Sequence, residues 1–171
     1  MRAISVGLFM LAASPALSMT IASNDFADGA AIPMPHIYPR CGGQNVSPEL
    51  HWNGVPAGAK SLVLTMIDVS VQPSQWSHWI VVDLPPQATG LGRGVKALPA
   101  GAKAVVSNFG DAYYDGPCPP KGTGVHRYVF TIWALPAAAM AIAPDAKAAD
   151  LNAMLMHDAI GHASITGTVT P

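Results

Sequence analysis

Charge is scarce in this chain. Asp, Glu, Lys and Arg make up 11% of its 171 residues, and the formal net charge is −1. No run of basic residues occurs, which argues against nucleic acid or an anionic membrane surface as the main partner. There are only two cysteines, Cys41 and Cys118, and neither has a second Cys or a His at ligand spacing. With no H-E-x-x-H or C-x-x-C either, the sequence offers no recognisable metal site, and nothing in it calls for a cofactor. A G-x-S-x-G elbow is missing, so the usual strand-to-helix mounting of a serine nucleophile is absent. No internal repeat or sustained heptad is visible, which leaves solenoids and coiled coils without support.

What is present is apolar. Half the residues are hydrophobic, enough for one compact core, and the length leaves no room for a second domain. Residues 1–18 read as an export signal. Met1-Arg2 gives a positive start, Ala3 to Ala13 a short apolar run, and Ala16-Leu17-Ser18 a small-x-small cleavage site, so the mature domain is expected to span residues 19–171. The apolar run is well short of the roughly 20 residues that span a bilayer, so no integral membrane segment is expected after cleavage. Loss of Arg2 leaves eight basic against ten acidic residues, a charge of −2. Cys41 and Cys118 both fall in the exported part, where an oxidising periplasm or exterior favours a disulfide; two separate buried thiols are the alternative.

The 16 Gly and 16 Pro are scattered as punctuation between short strands rather than pooled in a linker. Leu62 to Ile67, His78 to Leu84 and Arg127 to Leu135 are the clearest strands, rich in Val, Ile, Thr and aromatics; the first is apolar on both faces, as a central strand is. Weaker strand signals cover Ala104 to Ser107, Ser164 to Val169 and Asp25 to Ile32. One helix is expected from Pro144-Asp145, with Leu151, Met154 and Leu155 as its apolar stripe and Gly161 as its C′ residue. His157 on that helix and His162 beyond it read as ordinary surface or packing residues.

The most informative stretch runs from Gly116 to Tyr128, GPCPPKGTGVHRY. A Pro/Gly loop leads straight into a strand whose period of two puts His126, Tyr128 and Phe130 on one face. With Phe130 the stretch resembles the signature loop of the phosphatidylethanolamine-binding protein family, in its bacterial Raf-kinase-inhibitor-like branch. Asn45-Val46-Ser47-Pro48-Glu49-Leu50-His51-Trp52 is similar to that family's N-x-S-P-x-L-x-W segment. Ser61 to Asp68 resembles the strand that delivers its first pocket acid, Trp76-Ser77-His78-Trp79 its W-x-H element, and Asn108-Phe109-Gly110 precedes the loop as in the family. The resemblance covers Phe26 to Leu135 in register. It implies a mainly β fold, a large β-sandwich with a few short helices and a pocket at one edge. It also implies that Asp68, Trp76, His78, Pro119, Pro120, His126 and Tyr128 line an anion pocket, to which backbone N–H groups around Gly116 and Cys118 could add donors. One segment departs from the family: Asp68-Val69-Ser70-Val71-Gln72-Pro73 replaces D-P-D-A-P, keeping only the first acid.

Taken singly, each polar residue has a plainer explanation, since a strand-end Asp often caps a turn and a lone His in a half-buried strand is usually a satisfied core residue. The cluster carries the functional reading. Two imidazoles and a phenol can donate to phosphate or carboxylate oxygens, Asp68 can fix a His tautomer, and Trp76 with the prolines can form an apolar wall. The expected function is therefore binding of a small anionic or phosphorylated ligand, without turnover or cofactor. A protein partner, with the chain in an interaction or inhibitor role, is the alternative. A hydrolase drawn from Asp68, His78, His126 and a serine is weaker: Ser77 should face away from the His78 ring, and Ser47 reads as a turn residue.

Overall fold

The computed structural model describes residues 18–143 and 146–171; the export signal and the Pro144-Asp145 helix start lie outside the described residues, apart from Ser18. In chain order the elements are β1 (Thr20–Ala22), β2 (Leu50–Asn53), β3 (Ser61–Asp68), β4 (Trp76–Leu84), β5 (Gly90–Leu91), β6 (Lys103–Ala104), β7 (His126–Leu135), α1 (Ala148–Asp158) and β8 (Gly161–Val169), with single 3-10 turns at Met34–His36 and Pro39–Cys41. Five antiparallel strands order as β6-β4-β3-β7-β8, and β1-β2-β5 form a smaller second sheet.

β3 is buried at all eight positions because it is covered on both faces. Leu62, Leu64 and Met66 point to the small sheet, where Trp52, Leu50 and Leu91 meet them together with Trp79, Phe130 and Ile132. Val63 points the other way, into a layer of Ile80, Val82, Trp133 and Leu135 closed by Leu151 and Leu155 of α1. That alternation makes the large sheet the middle of the domain. Truncating Leu64 there to Ala should cost about 2–5 kcal/mol.

Three local expectations change. Asp25 to Ile32 forms no strand; the N-terminal strand is Thr20–Ala22, and only Ala31 bridges to Thr168. The segment is instead tied to distant strands at single points: Asp25 accepts from the Glu49 N–H (2.7 Å), Asp28 from the Thr166 N–H (2.8 Å), and the Gly29 and Ile32 N–H groups donate to Thr166 O and Thr168 O. The strand expected over Ala104 to Ser107 shrinks to Lys103–Ala104, because Ser107 turns the chain: its N–H bonds to Asp111 O and its hydroxyl accepts from the Phe109 N–H. Gly161 does not end the helix, which closes at Ala159; it opens β8, where a Cβ would lie 2.9 Å from Pro56 and 3.1 Å from the Met19 sulfur. On α1, Leu151 and Leu155 are buried while Met154 is partly exposed.

Candidate functional site

The last residue of β3 and the first residues of β4 and β7 meet at one end of the large sheet. Asp68 pairs in register with Trp76 on one side and Tyr128 on the other. Two-residue periodicity then brings His78 and His126 to the same face, the one that continues the core toward the small sheet. Asp68, Trp76, His78, Cys118, Pro119, Pro120, His126 and Tyr128 all line one cavity of about 280 Å³, joined by Val71 and Phe109. Eight of the nine ligand-binding residues expected from the sequence thus converge.

Gly116 is the ninth, and it is not on the cavity wall. Its N–H donates to Asn45 Oδ1 (2.7 Å), and a Cβ there would sit 2.3 Å from His36 O, so it is a packing glycine where two backbones touch. Asn45 also donates from Nδ2 to Tyr114 O (3.0 Å), and the Tyr114 hydroxyl donates to His36 O (2.8 Å). Cys41 and Cys118 are disulfide-bonded with Cα atoms 5.5 Å apart, and the Tyr38 N–H donates to Pro117 O (3.0 Å). The Pro-rich loop is therefore sewn to residues 36–45 on the side away from the strands.

Asp68 organises the polar floor. Its Oδ2 accepts from His126 Nδ1 at 2.6 Å and its Oδ1 from the Ser70 N–H at 2.9 Å, while the Ser70 hydroxyl accepts from the Arg127 N–H. Ser70, standing where the family has a second acid, thus ties the loop to the start of β7. On the far side of the His126 ring, Nε2 lies 2.8 Å from Thr123 Oγ1, which is also 2.7 Å from Pro120 O. That hydroxyl has one hydrogen. Donated to Pro120, it leaves His126 donating from both nitrogens; donated to His126, it leaves the Pro120 carbonyl without it. Thr123 went unmarked in the sequence, although it sits three residues before His126 in the signature loop. Burial, followed by the charge of Asp68, holds the Tyr128 phenol above its ordinary pKa.

His78 differs from the reading of two equivalent donors. Its Nδ1 lies 2.8 Å from Asp115 O, an atom that can only accept, so the proton sits on Nδ1 and Nε2 is a bare lone pair. Burial pushes its pKa down to about 4, outweighing the stabilising Asp115 carbonyl and Asp68 charge. The ring is 4% exposed as a residue and packs edge-on against Tyr128 at 5.0 Å and tilted against Phe109 at 4.9 Å. Behind it, Asp115 is itself buried with Oδ2 unpartnered, and burial together with the neighbouring Asp111 pushes its acid up to about 7. Neither acid was marked in the sequence, because only the path of the loop brings them together.

Ser77 faces away as expected: its hydroxyl bonds to Asn108 Oδ1 at 2.9 Å while the next residue's imidazole bonds to Asp115. Ser47, read as a turn residue, instead makes a long-range bond, its hydroxyl accepting from the Val95 N–H at 3.1 Å. His157 is exposed beside Asp158, and His162 packs near Trp133, both outside the pocket. Among the described residues no group of three or more His, Cys, Asp or Glu is arranged to hold a metal ion, and no helix is long and apolar enough to cross a membrane.

Comparison with known proteins bears on the family and the fold. The protein YbhB of Escherichia coli K12 is 39% identical over 155 residues, covering 86% of this chain and 98% of its own. A relative from Aquifex aeolicus is 34% identical over 161 residues, covering 93% and 92%. The crystal structure of Escherichia coli YbcL, described as a new member of the mammalian PEBP family, superposes with a TM-score of 0.82 at 32% identity, over 91% of this chain and 99% of that one. Residues 22–170 match the sequence model of the phosphatidylethanolamine-binding proteins, and with the sandwich, the strand-end cluster and these relatives in agreement, the chain belongs to that family.

Proposed function

We propose that the protein is an exported binding protein that holds a small anionic or phosphorylated group reversibly in the pocket around Asp68, His78, His126 and Tyr128. The observation that carries this reading is the convergence of those four side chains, from three adjacent strands, on one cavity under a disulfide-tied loop. A buried, partly apolar hollow with a few convergent polar groups is the usual form of a small-molecule site. Export is supported by the N-terminal signal pattern and by the Cys41–Cys118 bridge.

Binding without turnover is the chemistry these groups favour. Among the described residues no serine hydroxyl is bonded to His78 or His126, and the Thr123 hydroxyl that reaches His126 is shared with a backbone carbonyl. NMR titration with phosphate, phosphoethanolamine and acetate tests the reading. The His78 and His126 ring signals are expected to move and the His157 signals to stay; unmoved pocket signals with all three ligands refute it. Hydrolysis of ester or phosphoester substrates that disappears in His78→Ala would refute the non-catalytic part.

The mouth of the pocket favours a second reading, contact with a protein partner. Trp76 and Phe109 stand 6.2 Å apart, nearly perpendicular, and both are exposed, as is Tyr113 nearby. Exposed aromatic rings are common anchors of protein interfaces. A stable complex recovered from the native compartment, and lost in Trp76→Ala, would support it.

A further inference from the structure

We propose that this pocket selects oxyanions that still carry a proton, a singly protonated phosphate group above all, over oxyanions of the same shape that carry none. The inference rests on the reading that the pocket holds an anion, and it follows from counting which wall atoms give hydrogens and which take them.

Two wall groups take. His78 Nε2 is the ring nitrogen left to the cavity once Nδ1 is committed to Asp115 O, and it offers only a lone pair. The Asp68 carboxylate, already accepting from His126 and Ser70, remains an acceptor beside it. Other groups give: the Cys118 N–H, which has no backbone acceptor among the described residues, and the Tyr128 hydroxyl when its hydrogen turns from Asp68 to the ligand; His126, with its Nδ1 hydrogen on Asp68, gives from Nε2 only as the charged ring. Sulfate brings acceptors to every wall, so at His78 lone pair meets lone pair. A protonated phosphate turns its P–OH toward His78 Nε2 and its bare oxygens toward the donors. A site built to accept a hydrogen rejects the analogue that lacks one, because its own buried group is then left unpaired.

The groups facing His78 from each packed element are Asp68 on β3, His126 and Tyr128 on β7, and Asp115, backed by Asp111, on the loop. The low basicity of His78 keeps its lone pair bare through the physiological range. The ligand's proton therefore sets the pH response. A phosphomonoester loses its second proton near about pH 6, so its affinity should fall as pH rises from about 5.5 to 8.

The test uses the full chain and isothermal titration at about pH 6 and constant ionic strength, with inorganic phosphate and sulfate as probes. Phosphate is expected to bind at least about tenfold more tightly than sulfate, a gap of about 1.4 kcal/mol. His78→Gln, whose amide can turn an N–H to the ligand, should bring the two within about threefold of each other. Because that variant could disturb the core, ring 15N shifts of the unaltered protein give a second readout: Nε2 of His78 should be unprotonated when free and move on adding phosphate but not sulfate. Equal binding of both ions by the unaltered protein overturns the selectivity while leaving anion binding intact. Binding of neither ion overturns both.

Discussion

Two hollows flank the Cys41–Cys118 bridge, sharing Pro119 in their walls, and they are built on opposite plans. The larger, about 580 Å³, is an open cleft over Ile32, Ile37, Met34 and Val169, with Arg40 and Lys121 at its edge and no His, Asp or Glu in its lining. The smaller, about 280 Å³, gathers Asp68, two imidazoles and a phenol. The difference is one of mounting. The cleft's wall comes largely from loops and the end of β8. In the pocket, Asp68, His126 and Tyr128 sit on ladder positions of paired strands, where direction is set by the register, and His78 stands at the register shift between Ser77 and Trp79, its ring held by Asp115 O.

The largest test of that contrast is the bridge itself, which closes a 77-residue separation. Reduction, or the Cys41→Ala/Cys118→Ala pair, should cost roughly 2–4 kcal/mol and lower the Tm. Amide exchange should quicken over residues 36–45 and 114–120 while β3 and β7 stay protected. An unchanged Tm in protein verified as reduced would break the idea that the bridge pins both walls.

Next comes pH, which acts on the pocket side alone. His78 has a folded pKa of about 4 against the ordinary 6.5, so its share of stability is full above about pH 6.5 and is lost as pH falls toward 4. Asp115, at about 7 against 3.8, has the opposite sign: its share is full below about pH 3.8 and is lost as pH rises toward 7. The two slopes oppose each other. Measured by urea midpoints, Asp115→Asn should gain stability relative to wild type as pH goes from about 4 to 7. His78→Gln should lose it over the same range. Parallel curves for all three proteins would remove both assignments.

The smallest effect separates the hollows by ligand. His126→Ala should weaken phosphate binding by about 1.5–3 kcal/mol, roughly tenfold to a hundredfold, while Arg40→Ala in the cleft and His157→Ala on α1 leave it unchanged. If Arg40→Ala weakens binding as much as His126→Ala, the anion sits in the cleft.

The strands that mount the pocket were legible because their physics is local. Eight residues from Ser61 to Asp68 with no charge until the last can only be a strand covered on both faces, and alternation from His126 onward aims its own side chains. What stayed hidden depends on where loops travel. Gly116 carries no sign of the His36 carbonyl that presses on it, and Thr123 no sign of the imidazole it meets. Asp111 and Asp115 become a pair only because Ser107 turns the chain. The polarity of His78 was unreadable for the same reason: its tautomer is set by a carbonyl 37 residues away. Asp25 to Ile32 shows the converse, strand-like composition in a segment that reaches β8 only at single bonds and whose two carboxylates hold N–H groups of distant residues.

Asn45 has one more consequence. With its Oδ1 on the Gly116 N–H and its Nδ2 on the Tyr114 carbonyl, its side-chain amide imitates a peptide group and supplies a single rung of a β-ladder without a strand behind it. Unlike the carboxyl pair at Asp111 and Asp115, a carboxamide does not titrate. When acidity changes, the loop is held at residues 114–116 and can yield only upstream of them, toward Phe109 and the mouth. The bonds of Asn45 thus keep the backbone at residues 114–116 in place whichever form Asp115 takes.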